Sequence, residues 1–261
     1  MKKLIYILLL LSIACSTSGD NIENNSTFSI ELLYNQTAVV DEVLEVRVSS
    51  NEPMKSLEIS FDNFESSFTD FANLGNLVSR FFSFDQLGTN TVYFKIRNDE
   101  DVELIQTLNV TITRGNAVKI QSLKLNSFYN IGETWDSEFD DTDTNRLADV
   151  RFAILKRRLD VYDGTRNDSK SFSIRFLSQT RANEDNLNWD LQNEDLYVDI
   201  ERLTPYIAFG DDDGGGLGQE LIVDAPFERA IPILDYIGTN PDTIIVEESD
   251  VDLEYELGIS W

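Results

Sequence analysis

Apolar and polar residues alternate one by one along most of this chain, and that period of two limits the fold more than any other feature. Phe28, Ile30 and Leu32 take every second place, as do Leu44, Val46 and Val48. Leu57-Glu58-Ile59-Ser60-Phe61, Val92-Tyr93-Phe94-Lys95-Ile96 and Leu108-Asn109-Val110-Thr111-Ile112 repeat the pattern. Successive side chains of a strand point to opposite faces, so alternation means one buried and one wet face, as in antiparallel sheets. Turn-forming residues separate the runs at Asn51-Glu52-Pro53, Leu87-Gly88-Thr89-Asn90 and Asn98-Asp99-Glu100-Asp101. The expectation is an all-β chain of two antiparallel β-sandwiches in tandem. Arg114-Gly115-Asn116 breaks the alternation, which sets the first sandwich at 27–115 and the second at 116–261 with little linker between them.

In the second half Val118/Ile120 and Leu123/Leu125 alternate out of phase, which predicts a bulge near Gln121-Ser122. Strands follow at Val150/Phe152/Ile154, Phe172/Ile174/Phe176, Leu196/Val198/Ile200 and Ile207/Phe209. Between Pro226 and Gly238, Phe227, Ala230, Ile231, Leu234 and Ile237 fall at helical spacing, so a short helix is expected there, with Pro232 limiting it. The chain closes on Val251, Leu253, Tyr255, Leu257, Ile259 and Trp261, a run regular enough for a strand central to its sheet. The Phe-rich middle (Phe64, Phe68, Phe71, Phe81, Phe82, Phe84) reads as core under a loop. Lys156-Arg157-Arg158 reads as a solvated strand end.

Composition enters through what it excludes. Forty-seven acids against 21 Lys+Arg, a net charge of −26, argue against nucleic acid as a partner, since phosphate binding needs a basic footprint. The chain has no histidine and a single cysteine, Cys15. Ser–His–Asp and Cys–His catalysis are thereby absent, along with disulfides and thiolate metal clusters. Carboxylate chemistry of the glycoside-hydrolase kind is the enzymatic route left open.

Lys2-Lys3, an apolar core from Leu4 to Ile13, and Ser12-Ile13-Ala14-Cys15 make up an export signal, its core too short to span a bilayer. The last four residues resemble the bacterial lipobox. That resemblance implies a lipoprotein signal peptide at 1–14, lipidation of Cys15, and a polar tether at 15–26. The composition is similar to that of Bacteroidetes-type lipoproteins, which implies the cell envelope, by expectation the outer membrane. Gln86 to Val92, followed by Phe94-Lys95-Ile96 and Asn98-Asp99, looks like a hairpin of PKD-like and other bacterial Ig-like modules. About seven strands in ~90 residues suit such a sandwich.

Two loops of the second half concentrate acids. One runs from Trp135 through Asp136, Glu138, Asp140, Asp141 and Asp143, with Asp149 opening the next strand; the other is Gly210-Asp211-Asp212-Asp213-Gly214-Gly215-Gly216, with Glu220 beyond. Calcium takes six to eight hard oxygens at ~2.4 Å, and carboxylates this crowded repel unless a cation or protons neutralise them. An EF-hand fails on counting: position six of Asp141-x-Asp143-x-Asn145 is Arg146 and position twelve is Phe152. Residues 117–261 instead resemble the calcium-binding C2 domain. The likeness lies in the Val118–Leu125 strand, the Asp136 loop, and Asp149 entering a strand. It extends to Asn183-Glu184-Asp185-Asn186-Leu187-Asn188-Trp189-Asp190 and to Pro205-Tyr206-Ile207-Ala208-Phe209-Gly210-Asp211-Asp212-Asp213. Carried over residue by residue, it implies Asp136 and Asp149 as first-loop ligands, Asp211 and Asp213 as a third-loop pair, and Glu220 as a late acid.

These readings together describe a membrane-anchored, non-catalytic binding lipoprotein with calcium as its ion and a protein or glycan partner. Two alternatives stand beside it. One is a carbohydrate-binding surface lipoprotein of a glycan-uptake system, with Trp135, Trp189 or Tyr197 stacking on sugar. The other is a carboxylate-dependent glycoside hydrolase.

Overall fold

The computed structural model describes residues 27–70, 74–157, 172–214 and 217–261. The signal segment, the tether with Cys15, Phe71 and Arg158 lie outside the described residues. The chain is all-β; among the described residues the helical content is confined to single turns of 3-10 helix at Thr144–Arg146, Ala182–Glu184 and Ile233–Tyr236.

One sheet holds β1 (Ile30–Leu33), β2 (Thr37–Val39), β3 (Leu44–Ser60), β4 (Phe68–Asp70), β5 (Gly75–Phe82), β6 (Gly88–Asn98) and β7 (Glu103–Thr113). Its organiser is β3. The first part of β3 pairs with β1 and β5 around Val46 and Val48; the second pairs with β4 and β6 around Leu57 and Ile59. Register shifts on both sides of Met54 separate the two parts. Asn51-Glu52-Pro53 is therefore a bend inside one long strand rather than the turn expected between two. A strand that bends can serve two layers at once. Val46 and Val48 from one layer meet Val92, Phe94, Ile96, Leu108 and Val110 from the other, all with no accessible surface. Gly88 to Asn90, expected as a turn, already belongs to β6. The Phe-rich segment divides: Phe82 and Phe84 are core, whereas Phe81 is 39% exposed on the outward phase of β5.

Two further sheets pack face to face. The first has the order β10-β9-β13-β14, formed by β9 (Val150–Arg157), β10 (Phe172–Leu177), β13 (Pro205–Asp211) and β14 (Gln219–Glu220), with β15 (Arg229–Ala230) also on β13. The second has the order β11-β8-β17-β16, formed by β8 (Val118–Ser127), β11 (Asn188–Asp190), β16 (Thr243–Glu248) and β17 (Leu253–Ser260), with β12 (Tyr197–Val198) on β8. Inward residues of each strand fill the space between, including Phe152 edge-on to Trp189 at 5.1 Å and Phe209 against Tyr255 at 5.6 Å. The closing strand β17 lies inside its sheet between β8 and β16, as its alternation predicted. Its register skips Gln121, passing from Ser122 opposite Gly258 to Ile120 opposite Ile259, so the bulge sits where the phase of β8 changed.

The helix expected across 226–238 does not form. Arg229–Ala230 pairs with β13, and a single 3-10 turn follows, capped by Pro232. Proline cannot donate the backbone hydrogen bond a longer helix needs at that place, and Leu234 and Ile237 are left about half exposed.

Lys156 also departs from expectation, for it is 1% exposed. It occupies the next inward position after Val150, Phe152 and Ile154, and reaches between the first sheet and the two that follow. Its ammonium donates to both Asp41 oxygens at 2.9 and 3.2 Å, to Asp85 at 3.3 Å, and to the Tyr197 carbonyl at 2.7 Å. Arg175 pairs with Asp85 from β10, and the Asp199 N–H donates to Asp41. Burial draws the Lys156 pKa below its ordinary value, against the pull of Asp41 and Asp85. Burial opposes the charge on Asp85 as well, yet Lys156 and Arg175 outweigh it and hold that carboxyl below its usual range. A buried charge persists only when its partners satisfy it.

Candidate metal centre

The first acidic loop, between β8 and β9, is ordered by its own side chains. Trp135 packs against Phe128 and donates its indole N–H to the Asn130 carbonyl at 3.2 Å. The Trp135 and Asp136 N–H groups both donate to the Arg146 carbonyl, at 2.7 and 3.1 Å. The Arg146 guanidinium returns to the Gly132 and Asp141 carbonyls at 2.8 and 3.1 Å. These bonds clamp the base of the loop and hold Asp136 at the tip of the sandwich.

The second loop leaves β13 at Asp211. On this strand Ile207, Phe209 and Asp211 share the core-facing phase, so Asp211 ends that row at the rim and is 1% exposed. Its Oδ1 accepts the Asp149 N–H at 2.6 Å, while Asp149 Oδ1 accepts the Asn183 N–H at 2.8 Å. Asp212 turns away to Arg151 at 2.8 Å and to the Thr180 hydroxyl at 2.6 Å. Of the three consecutive acids, Asp211 and Asp213 thus remain for the tip. The chain then folds back sharply on itself. A side chain at Gly210 would strike Leu217, and one at Gly218 (φ +87°) would strike the Asp211 backbone. Only glycine fits either place.

Asp136, Asp211 and Asp213 come together, each offering an oxygen within 4.8 Å of the others. With oxygens ~2.4 Å from a calcium ion, ligands on opposite sides lie ~4.8 Å apart, so this spacing fits one hard cation. Asp149 stands behind them with both its N–H and one carboxylate oxygen engaged in holding the loops. Glu220 does not join. Its partner across the ladder is Gly210, on the opposite phase of β13 from Asp211, and it lies exposed. A one-residue difference in register puts a side chain on the other face.

The electrostatics follow from this crowding. Burial, followed by the charges of Asp213 and Asp136, pushes the Asp211 carboxyl up to about 6. Asp136 is raised for the same reasons, with Asp213, Glu138 and Asp149 as its charged neighbours. Asp212 moves the other way, held low by the Thr180 hydroxyl and, against some burial, by Arg151. A cleft of about 630 Å³ opens beside Asp136 and Asp213, bordered by Trp135, Phe139, Asn145 and Asn183. The Asn183 N–H, which fixes Asp149, carried no signal in the sequence, because backbone donors are common to every residue. Trp189 is core rather than a stacking platform, 3% exposed beneath Phe152.

No family model and no curated protein matches the chain. Among solved structures it is similar to the sulfur carrier protein SoxY from Chlorobium limicola f thiosulfatophilum, at 17% identity and a TM-score of 0.25, over 32% of this chain and 78% of that one. A TM-score at that level carries no argument about fold or activity.

Proposed function

We propose that this chain is a lipid-anchored, non-catalytic binding protein of the bacterial cell envelope, an Ig-like sandwich followed by a C2-like one, whose acidic tip takes calcium. The observation that carries the reading is the meeting of Asp136, Asp211 and Asp213 within the span of a calcium shell. These three supply carboxylate oxygens, and a bound divalent cation would neutralise charges that otherwise repel. Asp149 lies outside this group of three, and its bond from the Asn183 N–H positions the loops. Glu220, implied as a ligand by the C2 resemblance, lies outside this group of three. An anchor at Cys15 rests on the lipobox resemblance, and an outer-membrane location on the likeness to Bacteroidetes-type lipoproteins. Binding rather than catalysis is favoured by the absence of histidine from the sequence and by acids set in Gly-rich turns.

Calorimetric titration of residues 27–261 with calcium tests the ion. Heat at one site and a rise in melting temperature are expected, since a ligand of the folded state alone stabilises it. Asp211→Ala and Asp213→Ala abolish both effects. No heat and an unchanged melting temperature in the native sequence would remove calcium from the reading. Radiolabelled fatty acid fed to cells expressing the full chain tests the anchor, with label expected on the native protein and none on Cys15→Ala.

A further inference from the structure

The C-terminal sandwich is open along one side, between β10 and β11, the edge strands of its two sheets. A cleft of about 300 Å³ lies there, sharing no lining residue with the group of three carboxylates. Phe176, Trp189 and Leu191 form its apolar floor, the last two buried. Trp189 is fixed by its indole N–H, which donates to the Gln179 carbonyl at 2.8 Å. Arg181 covers the indole with its guanidinium carbon 5.6 Å from the ring centre. One terminal nitrogen donates to the Asn188 carbonyl at 2.9 Å, whereas Nε is buried and has no hydrogen-bond partner among the described residues. Arg151, Arg175, Arg202 and Arg229 each pair with a carboxylate; among the described residues Arg181 does not.

An arginine without a carboxylate partner over an apolar floor suits an oxyanion attached to a hydrophobic body. Yet Asp190 and Glu194 stand exposed on the lip of the same cleft, and the whole chain carries −26. A simple anion would meet that field and be repelled. A ligand carrying both charges would not: its carboxylate meets Arg181, its ammonium meets the acids of the lip, and its apolar group rests against the partly exposed Phe176. We propose that this cleft binds a free α-amino acid with a large apolar side chain. The cleft volume lies at the lower end of the range for small-molecule sites, which suits one such molecule.

The test titrates the full chain in detergent with L-phenylalanine, 3-phenylpropanoate and phenethylamine, following heat. The last two each lack one of the two charges. L-phenylalanine is expected to bind at least about 10-fold more tightly than either, the worth of one well-placed charged hydrogen bond. Arg181→Gln is expected to weaken it by a similar factor. Because Arg181 also holds the Asn188 carbonyl, the second variant is Glu194→Gln on an exposed side chain. It should weaken L-phenylalanine while leaving 3-phenylpropanoate as weak as before or slightly tighter. Asp211→Ala, which removes the cation site, should leave L-phenylalanine binding intact, so the two readings fail separately. No binding of L-phenylalanine up to about 10 mM overturns the proposal. So does equal affinity for the three compounds, or indifference to both Arg181→Gln and Glu194→Gln.

Discussion

Asp211 joins the strand, the turn and the charge cluster in one side chain. Its carboxyl is raised from the ordinary 3.8 to about 6, so the folded protein holds that proton more tightly than the unfolded chain does. The resulting stability is fully present below about pH 4 and is lost as pH rises through about 6. Without calcium, this residue makes the protein less stable at neutral pH than at pH 4. Asp211→Asn keeps an oxygen to accept the Asp149 N–H and removes the titration. Urea denaturation in a chelator should show the variant more stable by about 1–2 kcal/mol at pH 7 and unchanged near pH 4. Identical pH slopes in the two proteins would mean the carboxyl is not perturbed. The sequence pointed to Asp211 through its acidic neighbours, but not to the opposite fate of Asp212. Which of two adjacent acids meets an arginine depends on the phase of β13 against β9, where Arg151 lies across from Gly210.

At the scale of elements, the loop between β8 and β9 positions Asp136 without any regular structure beyond one 3-10 turn. Its order comes from Trp135 on the core and from Arg146, which gathers the Gly132 and Asp141 carbonyls. Arg146 lies at the surface rather than in the core, so its loss should cost the fold little. Arg146→Ala is therefore expected to raise the calcium concentration for half-saturation by about 5–10-fold, the loop-ordering cost moving into the binding step. The melting temperature without calcium should change by no more than about 2–3 °C. An unaltered calcium titration would show that the loop is held by other means. The strands around this loop were legible from alternation: β17, β9 and the bulge of β8 all lie where the phase of the apolar residues puts them. The 226–238 segment was misread because its apolar spacing suits a helix, while its residues are taken up by a bridge to β13 and by Pro232.

For the molecule as a whole, the Lys156 cluster is the feature with the widest reach. Asp41 and Asp85 come from turns of the first sheet, while Lys156, Arg175, Tyr197 and Asp199 come from elements beyond residue 117. Arg114 adds a second tie, donating to the Ser260 carbonyl at 2.8 Å. Sheets joined by buried, mutually satisfied charges should unfold together. Lys156→Ala leaves Asp41 and Asp85 short of a cation, at an expected cost of about 3–5 kcal/mol. Scanning calorimetry should resolve one transition for the native chain and two for the variant, as the halves lose their common unfolding. A single transition in both, with little shift in midpoint, would refute the coupling. In the sequence, Lys156 stood in phase with Val150, Phe152 and Ile154, and that phase was the available sign of its burial. Its partners lie 71 and 115 residues away, a distance no local pattern bridges.

Alternation of apolar residues by itself determined that this chain folds into sheets, because side chains on a pleated strand have only two directions to point. The shortage of histidine and cysteine likewise set the chemistry open to it before any folding. Tertiary structure alone decided which acids meet at the tip, that Glu220 is left out, and that a lysine sits inside. Each of these depends on the register and stacking of strands far apart in the chain, and a one-residue slip would reverse it.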